Sequence, residues 1–141
     1  MALVRPSDMQ KLFTCDLRLQ RVVLVVAEHL QIAVLEGHRG QAAQDEAFRT
    51  GKSKLKWPNG NHNTTPSKAI DLAPYYVALK EKIVWNDLIA FGRLMGFVQR
   101  VGIEQGVKLR FGLDWDMDFQ SVDVDPDESF LDAPHVEIVE G

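Results

Sequence analysis

The stretch "NHNTTPSKAIDLAPYY", residues 61–76, combines a turn-rich loop with a short apolar segment that contains an aspartate. The apolar part, residues 69–75, is short and ends near a proline, so it is predicted to form a β-strand. Asp71 lies inside this strand, between Ile70 and Leu72. A buried carboxylate is costly unless an ion partner, several hydrogen bonds or a metal stabilises it, so Asp71 needs such a partner.

On both sides of this strand, helical and strand patterns alternate along the chain. The predicted helices cover residues 9–30, with a break near residues 14–16, then 41–51 and 85–106. The predicted strands cover residues 32–37, 69–75, 107–112 and 135–139. Separated short strands that alternate with helices predict an α+β fold with a small sheet.

Helix starts and buried faces follow from capping residues and from apolar spacing. Ser7 or Asp8 is predicted to cap the first helix, and Asn86 or Asp87 the longest one. The residues predicted to face the core are Leu19, Val22, Val23 and Val26 in the first helix and Leu88, Phe91, Leu94, Met95 and Val98 in the longest one.

Length and charge limit the classes of function. The chain has 141 residues, and residues 1–141 are predicted to form a single domain with its own core. The formal net charge of -4 gives no general positive field for nucleic acid or for an anionic membrane. Lys52, Lys54 and Lys56 form a small basic cluster, which we interpret as a solvated loop. We therefore expect no nucleic-acid partner, and we expect a monomer.

The sequence also indicates the cellular compartment in which the protein is made. Cys15 is the single cysteine, so no intrachain disulfide can form, and its apolar neighbours predict a core position. The first fifteen residues lack the apolar region of a signal peptide, and the apolar run at residues 22–27 is too short to cross a bilayer. We expect synthesis in the cytoplasm, no membrane anchor, and a need for release before any action elsewhere.

Two histidines can supply the partner that Asp71 needs. His62 precedes Asp71 by nine residues across a loop that can fold back, and His135 begins the last predicted strand. Two imidazoles and one carboxylate form a three-ligand zinc site whose fourth position is open for water. Each residue alone has a simpler explanation, because most single histidines are surface or hydrogen-bonded polar residues, and Asp71 could cap a turn or pair with Lys68.

Three segments together resemble a known family: "NHNTTPSKAIDLAPYY", "LRFGLDWD" and "DAPHVEIV". In kind and order they are similar to the zinc-dependent LAS peptidases, which include D-Ala-D-Ala carboxypeptidases, dipeptidases and phage L-alanyl-D-glutamate endolysins. The resemblance extends from Leu35 to Val139 and implies a hedgehog/DD-peptidase-like zinc peptidase fold, with an antiparallel sheet and flanking helices. It also implies that His62, Asp71 and His135 bind zinc.

The resemblance implies roles for Asp132 and Arg39, and the residues themselves suggest roles for Glu137 and Trp115. Asp132, three places before His135, would be the catalytic base that takes a proton from zinc-activated water and passes it to the leaving amine. Glu137 shares a strand face with His135, so it is a rival base or a group that orients a ligand or the substrate. Arg39 follows the first strand and would hold a substrate carboxylate. Trp115 either lines the cleft or packs in the core.

Some residues depart from the family's pattern. Gly60 stands where the family's first motif, Ser-x-His, has a serine, and the loop before Asp71 is longer. The base position is Asp132 rather than a glutamate, which resembles the endolysins more than the dipeptidases. Gln44 lies at the end of "LEGHRGQAAQ", which resembles the family's Gly-x-Arg stretch, and we interpret it as an ordinary helix residue.

An acidic loop spans residues 114–128. Asp114, Asp116 and Asp118 alternate along it, as do the aspartates at 123, 125 and 127, and alternating carboxylates can collect around Ca²⁺. The EF-hand pattern fails, because Phe119 stands where glycine is required. The favoured interpretation is a solvated loop of mutually repelling carboxylates, and regulation by Ca²⁺ is the alternative.

The sequence thus predicts a phage-type endolysin that hydrolyses the L-Ala–D-Glu bond of bacterial peptidoglycan with Zn²⁺ as its cofactor. It would be made in the host cytoplasm and act on the cell wall after release. Two alternatives stay open: a D-Ala-D-Ala carboxypeptidase, and a non-catalytic, zinc-stabilised cell-wall binding module.

Overall fold

The computed structural model describes residues 4–118 and 132–141, and within them four α-helices and four strands. The helices are α1 (Pro6–Leu12), α2 (Leu17–Ala27), α3 (Gln41–Arg49) and α4 (Leu88–Glu104). The strands are β1 (Ile32–Glu36), β2 (Ala69–Pro74), β3 (Leu109–Phe111) and β4 (His135–Ile138), and a 3-10 turn covers Asn61–Asn63. The strands form one antiparallel sheet in the order β1-β2-β4-β3, which confirms the predicted α+β class.

The two faces of the sheet have different chemistry because side chains alternate along a strand. One face is apolar and joins the core, where α4 packs against β2 and β3 and α2 packs against α4. Its strand residues are Ile32, Val34, Ile70, Leu72, Leu109, Phe111, Val136 and Ile138. The opposite face carries Asp71, His135, Glu137 and Arg110, so the candidate site lies on the side of the sheet away from this core.

The N-terminal helical region is broken as predicted, but its first cap differs. Pro6 occupies the first turn of α1 and Arg5 precedes it, so the prediction of a Ser7 or Asp8 cap is wrong. Asp8 is buried within the helix instead, where its carboxylate accepts hydrogen bonds from Arg5 and from the backbone N–H of Val34. These bonds attach α1 to β1 and satisfy a carboxylate that burial would otherwise destabilise.

In the longest helix, one predicted cap is confirmed and one predicted core residue is wrong. The carboxylate of Asp87 accepts a hydrogen bond from the N–H of Ala90 at 3.1 Å, so α4 starts at Leu88 rather than at Trp85. Phe91 and the other predicted core residues further along α4 are buried, but Leu88 is 51% exposed. The prediction for Leu88 is wrong, and its neighbour Ile89 is also exposed, so burial of α4 begins only at Phe91.

None of the helices in residues 4–118 and 132–141 has both the length and the apolar character that crossing a bilayer requires. The assignment of the whole chain to one domain stays a prediction.

Candidate active site

Strand register and one 3-10 turn bring the three predicted metal ligands together. Asp71 on β2 is directly opposite His135 on β4, so their side chains share one face of the sheet. His62 lies in the 3-10 turn, and its Nε2 is 3.1 Å from Asp71 Oδ1. Nδ1 of His135 is 3.4 Å from the same oxygen. All three side chains are buried, and their potential ligand atoms lie within 4.8 Å of one another.

These separations fit a small divalent metal. Ligands about 2.0–2.1 Å from a tetrahedral zinc ion lie roughly 3.3 Å from each other. The distances of 3.1 and 3.4 Å from Asp71 Oδ1 to the two histidine nitrogens lie on either side of that value. Imidazole nitrogen and carboxylate oxygen are both ordinary zinc ligands. The buried group of His62, Asp71 and His135 could therefore hold a metal ion with little rearrangement.

Further hydrogen bonds orient each histidine. Nδ1 of His62 lies 2.8 Å from the carbonyl oxygen of Gly37, which can only accept, so Nδ1 carries a proton, and a neutral His62 would offer the lone pair of Nε2 to a metal. Nε2 of His135 lies 2.7 Å from Glu137 Oε1, and Arg110 donates to the other carboxylate oxygen at 2.6 and 3.1 Å. A carboxylate behind a histidine is a common arrangement at metal sites.

The electrostatics of the group favour positive charge between the carboxylates. Burial alone would raise the pKa of Asp71, but hydrogen bonds from His135 and His62 outweigh it and hold the pKa well below its usual range. Burial would lower the pKa of His135, yet Asp71 and Glu137 raise it to about 9. Burial likewise opposes ionisation of Glu137, while His135 and Arg110 lower its pKa to about 2. The two ionised carboxylates therefore stabilise a cation at this position, either a proton on His135 or a metal.

Asp132 lies next to the group without joining it. Its carboxylate Oδ2 is 4.0 Å from Nδ1 of His135. Burial and then the charge of Asp71 raise the pKa of Asp132. The backbone of Gly112 holds this residue in place, because the N–H of Asp132 donates to the Gly112 carbonyl at 2.9 Å. A Cβ atom added to Gly112 would lie 2.0 Å from the carbonyl oxygen of Asp132, so only glycine fits there.

A cleft of about 270 Å³ opens over the group. Among the predicted site residues, all except Asp71 line it. The ring of Trp115 lies 5.1 Å from the ring of His135, so this side chain forms a wall of the cleft beside a candidate ligand. The structure therefore brings together all seven residues that the sequence analysis selected: Arg39, His62, Asp71, Trp115, Asp132, His135 and Glu137.

Arg39 is buried beside the group, and most of its donors already have partners. Its Nε and Nη2 donate to the two carboxylate oxygens of Glu36 at 2.9 and 2.6 Å, and Nη1 donates to Gln44 Oε1 at 3.0 Å. Nη2 also lies 3.9 Å from Asp71 Oδ2. The guanidinium thus adds positive charge next to Asp71 while Glu36 occupies its paired donors.

Comparison with known proteins identifies the family. Residues 4–139 match the family model of the phage L-alanyl-D-glutamate peptidases. The chain belongs to this family. One relative, the L-alanyl-D-glutamate peptidase of Escherichia phage T5, is 37% identical over 106 residues, which are 75% of this chain and 74% of that protein. The family that the sequence analysis recognised, and the peptidase class that it implied, are confirmed.

A solved structure supports the fold independently. The crystal structure of the Serratia marcescens L-Ala D-Glu endopeptidase ChiX superposes with a TM-score of 0.70 and covers 95% of this chain and 87% of that one. The two sequences are 20% identical, so this likeness concerns the fold alone. The expected peptidase fold of the phage L-alanyl-D-glutamate peptidase family is therefore present here.

Gly60, at the serine position of the family's first motif, is held by an asparagine of the same turn. Oδ1 of Asn63 accepts a hydrogen bond from the N–H of Gly60 at 2.9 Å. Its Nδ2 donates to the Arg39 carbonyl at 3.0 Å and to Gln44 Oε1 at 3.1 Å. A Cβ atom at position 60 would lie 2.8 Å from Asn63 Oδ1, so a larger residue there would displace the asparagine side chain.

The interpretation of Gln44 as an ordinary helix residue is wrong. Its side chain is 1% exposed, and Nε2 donates to Ser53 Oγ at 3.1 Å and to the Leu55 carbonyl at 2.6 Å. Together with its bonds to Arg39 and Asn63, the amide joins α3, the 3-10 turn and the loop after α3. A glutamine in an alanine-rich helix carries no sign of burial, so the sequence could not show this.

The acidic loop is described only in part. Asp114, Asp116 and Asp118 each offer an oxygen within 4.8 Å of the others, and Asp116 and Asp118 are exposed. The aspartates at 123, 125 and 127 lie outside the described residues. Regulation by Ca²⁺ therefore stays a prediction, and so does the solvated loop that we favour.

Proposed function

We propose that the chain hydrolyses the L-Ala–D-Glu bond of peptidoglycan stem peptides, with Zn²⁺ held by His62, Asp71 and His135. The observation that carries this proposal is the convergence of three buried ligand atoms at zinc-like spacing beneath a cleft that also contains Asp132. Membership of the phage L-alanyl-D-glutamate peptidase family supports the choice of substrate.

The choice of zinc rests on the donor set. Two imidazoles and one carboxylate match the three protein ligands of catalytic zinc sites, which keep a fourth position for water or substrate. Within residues 4–118 and 132–141, no fourth histidine, cysteine or carboxylate joins the group. A bound zinc ion would supply a Lewis acid that polarises the scissile carbonyl and makes water more acidic.

Asp132 is the residue that we assign to proton transfer. Its carboxylate lines the cleft 4.0 Å from His135, and burial and Asp71 raise its pKa, which brings its basicity closer to that of a proton carrier at neutral pH. It would accept a proton from the attacking water and deliver it to the nitrogen of the leaving D-Glu. Glu137 suits this role less well, because its oxygens already bind His135 and Arg110.

The remaining cleft residues are assigned to orientation and binding. Glu137 orients His135 and borders the substrate, and Trp115 provides a flat apolar wall. Arg39 supplies positive charge beside Asp71. It could bind a substrate carboxylate if that group displaced Glu36 from the paired donors. We further propose that the protein is made in the host cytoplasm and reaches the wall after release.

The test is to digest purified peptidoglycan and to identify the new amino termini. The proposal predicts new D-Glu amino termini, in step with a loss of turbidity of the wall suspension. Release of free D-Ala would instead support the carboxypeptidase alternative. Wall binding without any new termini, in protein loaded with zinc, would support the non-catalytic binding module.

The assignment of the base has its own test. Asp132→Asn should lower kcat by roughly 10²–10⁴-fold, the usual contribution of a general base, with zinc content unchanged. Asp16→Asn, the same change outside the cleft, should leave kcat unaltered. Wall lysis at the wild-type rate by Asp132→Asn would show that the proton is carried by another group.

A further inference from the structure

The loop after α3 forms one wall of the candidate active site. Lys52, Ser53, Lys54 and Leu55 all line the cleft that contains Asp132 and the candidate ligands. The loop is anchored, since Gln44 donates to Ser53 Oγ and to the Leu55 carbonyl, and the Ser53 N–H donates to the Ala47 carbonyl at 3.0 Å. The lysines are therefore carried by backbone that is fixed to the same buried amide that binds Arg39.

The lining of the cleft is richer in cationic side chains than in carboxylates. The chain carries a formal net charge of -4, but four cationic side chains and only two carboxylates line the cleft. Two of those cations, Arg39 and Arg110, bind Glu36 and Glu137 at close range. Lys52 is more weakly held, because its Nζ lies 3.5 Å from Glu36 and its side chain is 56% exposed. Ammonium groups that line a cleft and keep part of their exposure can attract anionic ligands.

The proposed substrate has an anionic group close to the bond that is cut. A D-glutamate residue has two carboxyl groups, and only one of them can continue the peptide. The other stays as a free carboxylate on the residue whose nitrogen is the leaving group, unless the cell wall carries it as an amide. Lys52 lines the same cleft as the candidate base, Asp132.

We propose that Lys52 and Lys54 form a subsite for this free carboxylate, so that the enzyme prefers stem peptides with D-Glu over those with the D-Glu amide. This inference rests on the proposed function and adds to it the residues that select the substrate. Ammonium groups on flexible stems suit a solvated carboxylate that must enter and leave with each turnover.

The test compares two synthetic stem peptides that differ only in this group, the free carboxylate or its amide. With the zinc-loaded wild-type protein we expect kcat/KM to be about three- to tenfold higher for the carboxylate, the size typical of one or two partly solvated charge pairs. The two peptides should differ in KM rather than in kcat, and this difference should decrease as salt is added. In Lys52→Gln/Lys54→Gln the two peptides should be cleaved with nearly equal kcat/KM.

Lys56→Gln is the matched control. It removes the same charge two residues further along, where the ammonium lies 5.1 Å from the ring of Phe48, and Lys56 does not line the cleft. It should retain the full preference. Equal cleavage of both peptides by the wild-type protein, or a preference that persists in the double variant, would overturn the inference.

Failure of the proposed function has a different signature, because then neither peptide would yield a D-Glu amino terminus. Binding of the two intact peptides by the Asp132→Asn protein, measured calorimetrically, adds a readout that does not depend on turnover. We expect tighter binding of the carboxylate peptide, and the difference should be lost when the two lysine substitutions are added. Equal affinities would contradict the subsite.

Discussion

Glu137 accepts a hydrogen bond from His135 and is held in turn by Arg110. Replacing it with glutamine keeps the size of the side chain and an acceptor oxygen but removes the charge behind the imidazole. Because such a carboxylate increases the basicity of a ligand and fixes its orientation, Glu137→Gln should weaken zinc binding about 10–100-fold. Competition with a fluorescent chelator measures this affinity.

Glu140→Gln is the control for that prediction. Glu140 is three residues away and binds the half-buried cations Arg18 and Lys68, outside the site. Its substitution should leave zinc affinity unchanged. A Glu137→Gln protein with wild-type affinity would mean that His135 does not depend on this carboxylate for its orientation.

At the residue scale, the sequence revealed the ionisable residues that lie within or beside an apolar strand. Asp71 was identifiable because a carboxylate interrupts an apolar strand, and His135 because it begins one. Gln44 and Asn63 were missed because glutamine in a helix and asparagine in a turn are ordinary at exposed positions. Their burial depends on partners that are distant in sequence, and no local pattern records those partners.

At the scale of elements, α2 depends on a charged cap. The carboxylate of Asp16 accepts from the backbone N–H of Arg18, and the Arg18 side chain lowers the pKa of Asp16. Asp16→Ala should therefore lower the free energy of unfolding by about 1 kcal/mol near neutral pH. Asp16→Asn, which can still cap the helix, should retain most of that stability.

The pH dependence of this cap follows from the direction of the shift. Because the pKa of Asp16 is lower in the folded protein, its ionic contribution is complete above the unfolded value, roughly 3.9, and is lost as the pH falls through the folded value. The difference in stability between wild type and Asp16→Asn should shrink as acid is added. Urea unfolding at several pH values measures it, and a difference that grows in acid would disprove this account of the cap.

Substitution of Gly112 tests how the turn before β4 positions the proposed base, Asp132. In Gly112→Ala the new Cβ would meet the Asp132 carbonyl oxygen at 2.0 Å, so the turn must move. We expect a loss of activity larger than the loss of stability would explain, with zinc still bound. Circular dichroism melting and peptide hydrolysis on the same samples measure both quantities.

Gly96→Ala is the matched control on α4, where an added Cβ meets nothing within 4 Å. Alanine in an exposed helix position should stabilise the protein by about 0.5–1 kcal/mol and leave activity unchanged. A Gly112→Ala protein that is as active as Gly96→Ala would show that the base does not depend on this close approach.

Elements were easier to predict than their ends and their pairing. The apolar periods located all four strands and the long helix, since burial of a stripe or a face follows from local spacing. The start of α4 at Leu88 and the position of β4 between β2 and β3 depend on what each element packs against. Those contacts connect residues far apart in the chain, so spacing alone could not reveal them.

At the scale of the whole molecule, a metal would join three distant parts of the chain. His62 comes from the 3-10 turn, Asp71 from β2 and His135 from β4, and the unfolded chain does not hold them together. Metal binding should therefore stabilise the folded state, by about 2.7 kcal/mol when free zinc is a hundredfold above its dissociation constant. Residue chemistry made this meeting one of several interpretations, and the family resemblance favoured it, because nothing local connects His135 with the other two.

The most direct test of the account is the zinc content of the purified protein, measured by elemental analysis after dialysis against metal-free buffer, beside alanine variants of His62, Asp71 and His135. We expect about one zinc ion per wild-type chain and a large loss of zinc in each of the three variants. His29→Ala, which removes an exposed histidine outside the site, should keep its zinc. Wild-type protein without zinc that still cuts the wall, or zinc retained in all three variants, would contradict the central claim.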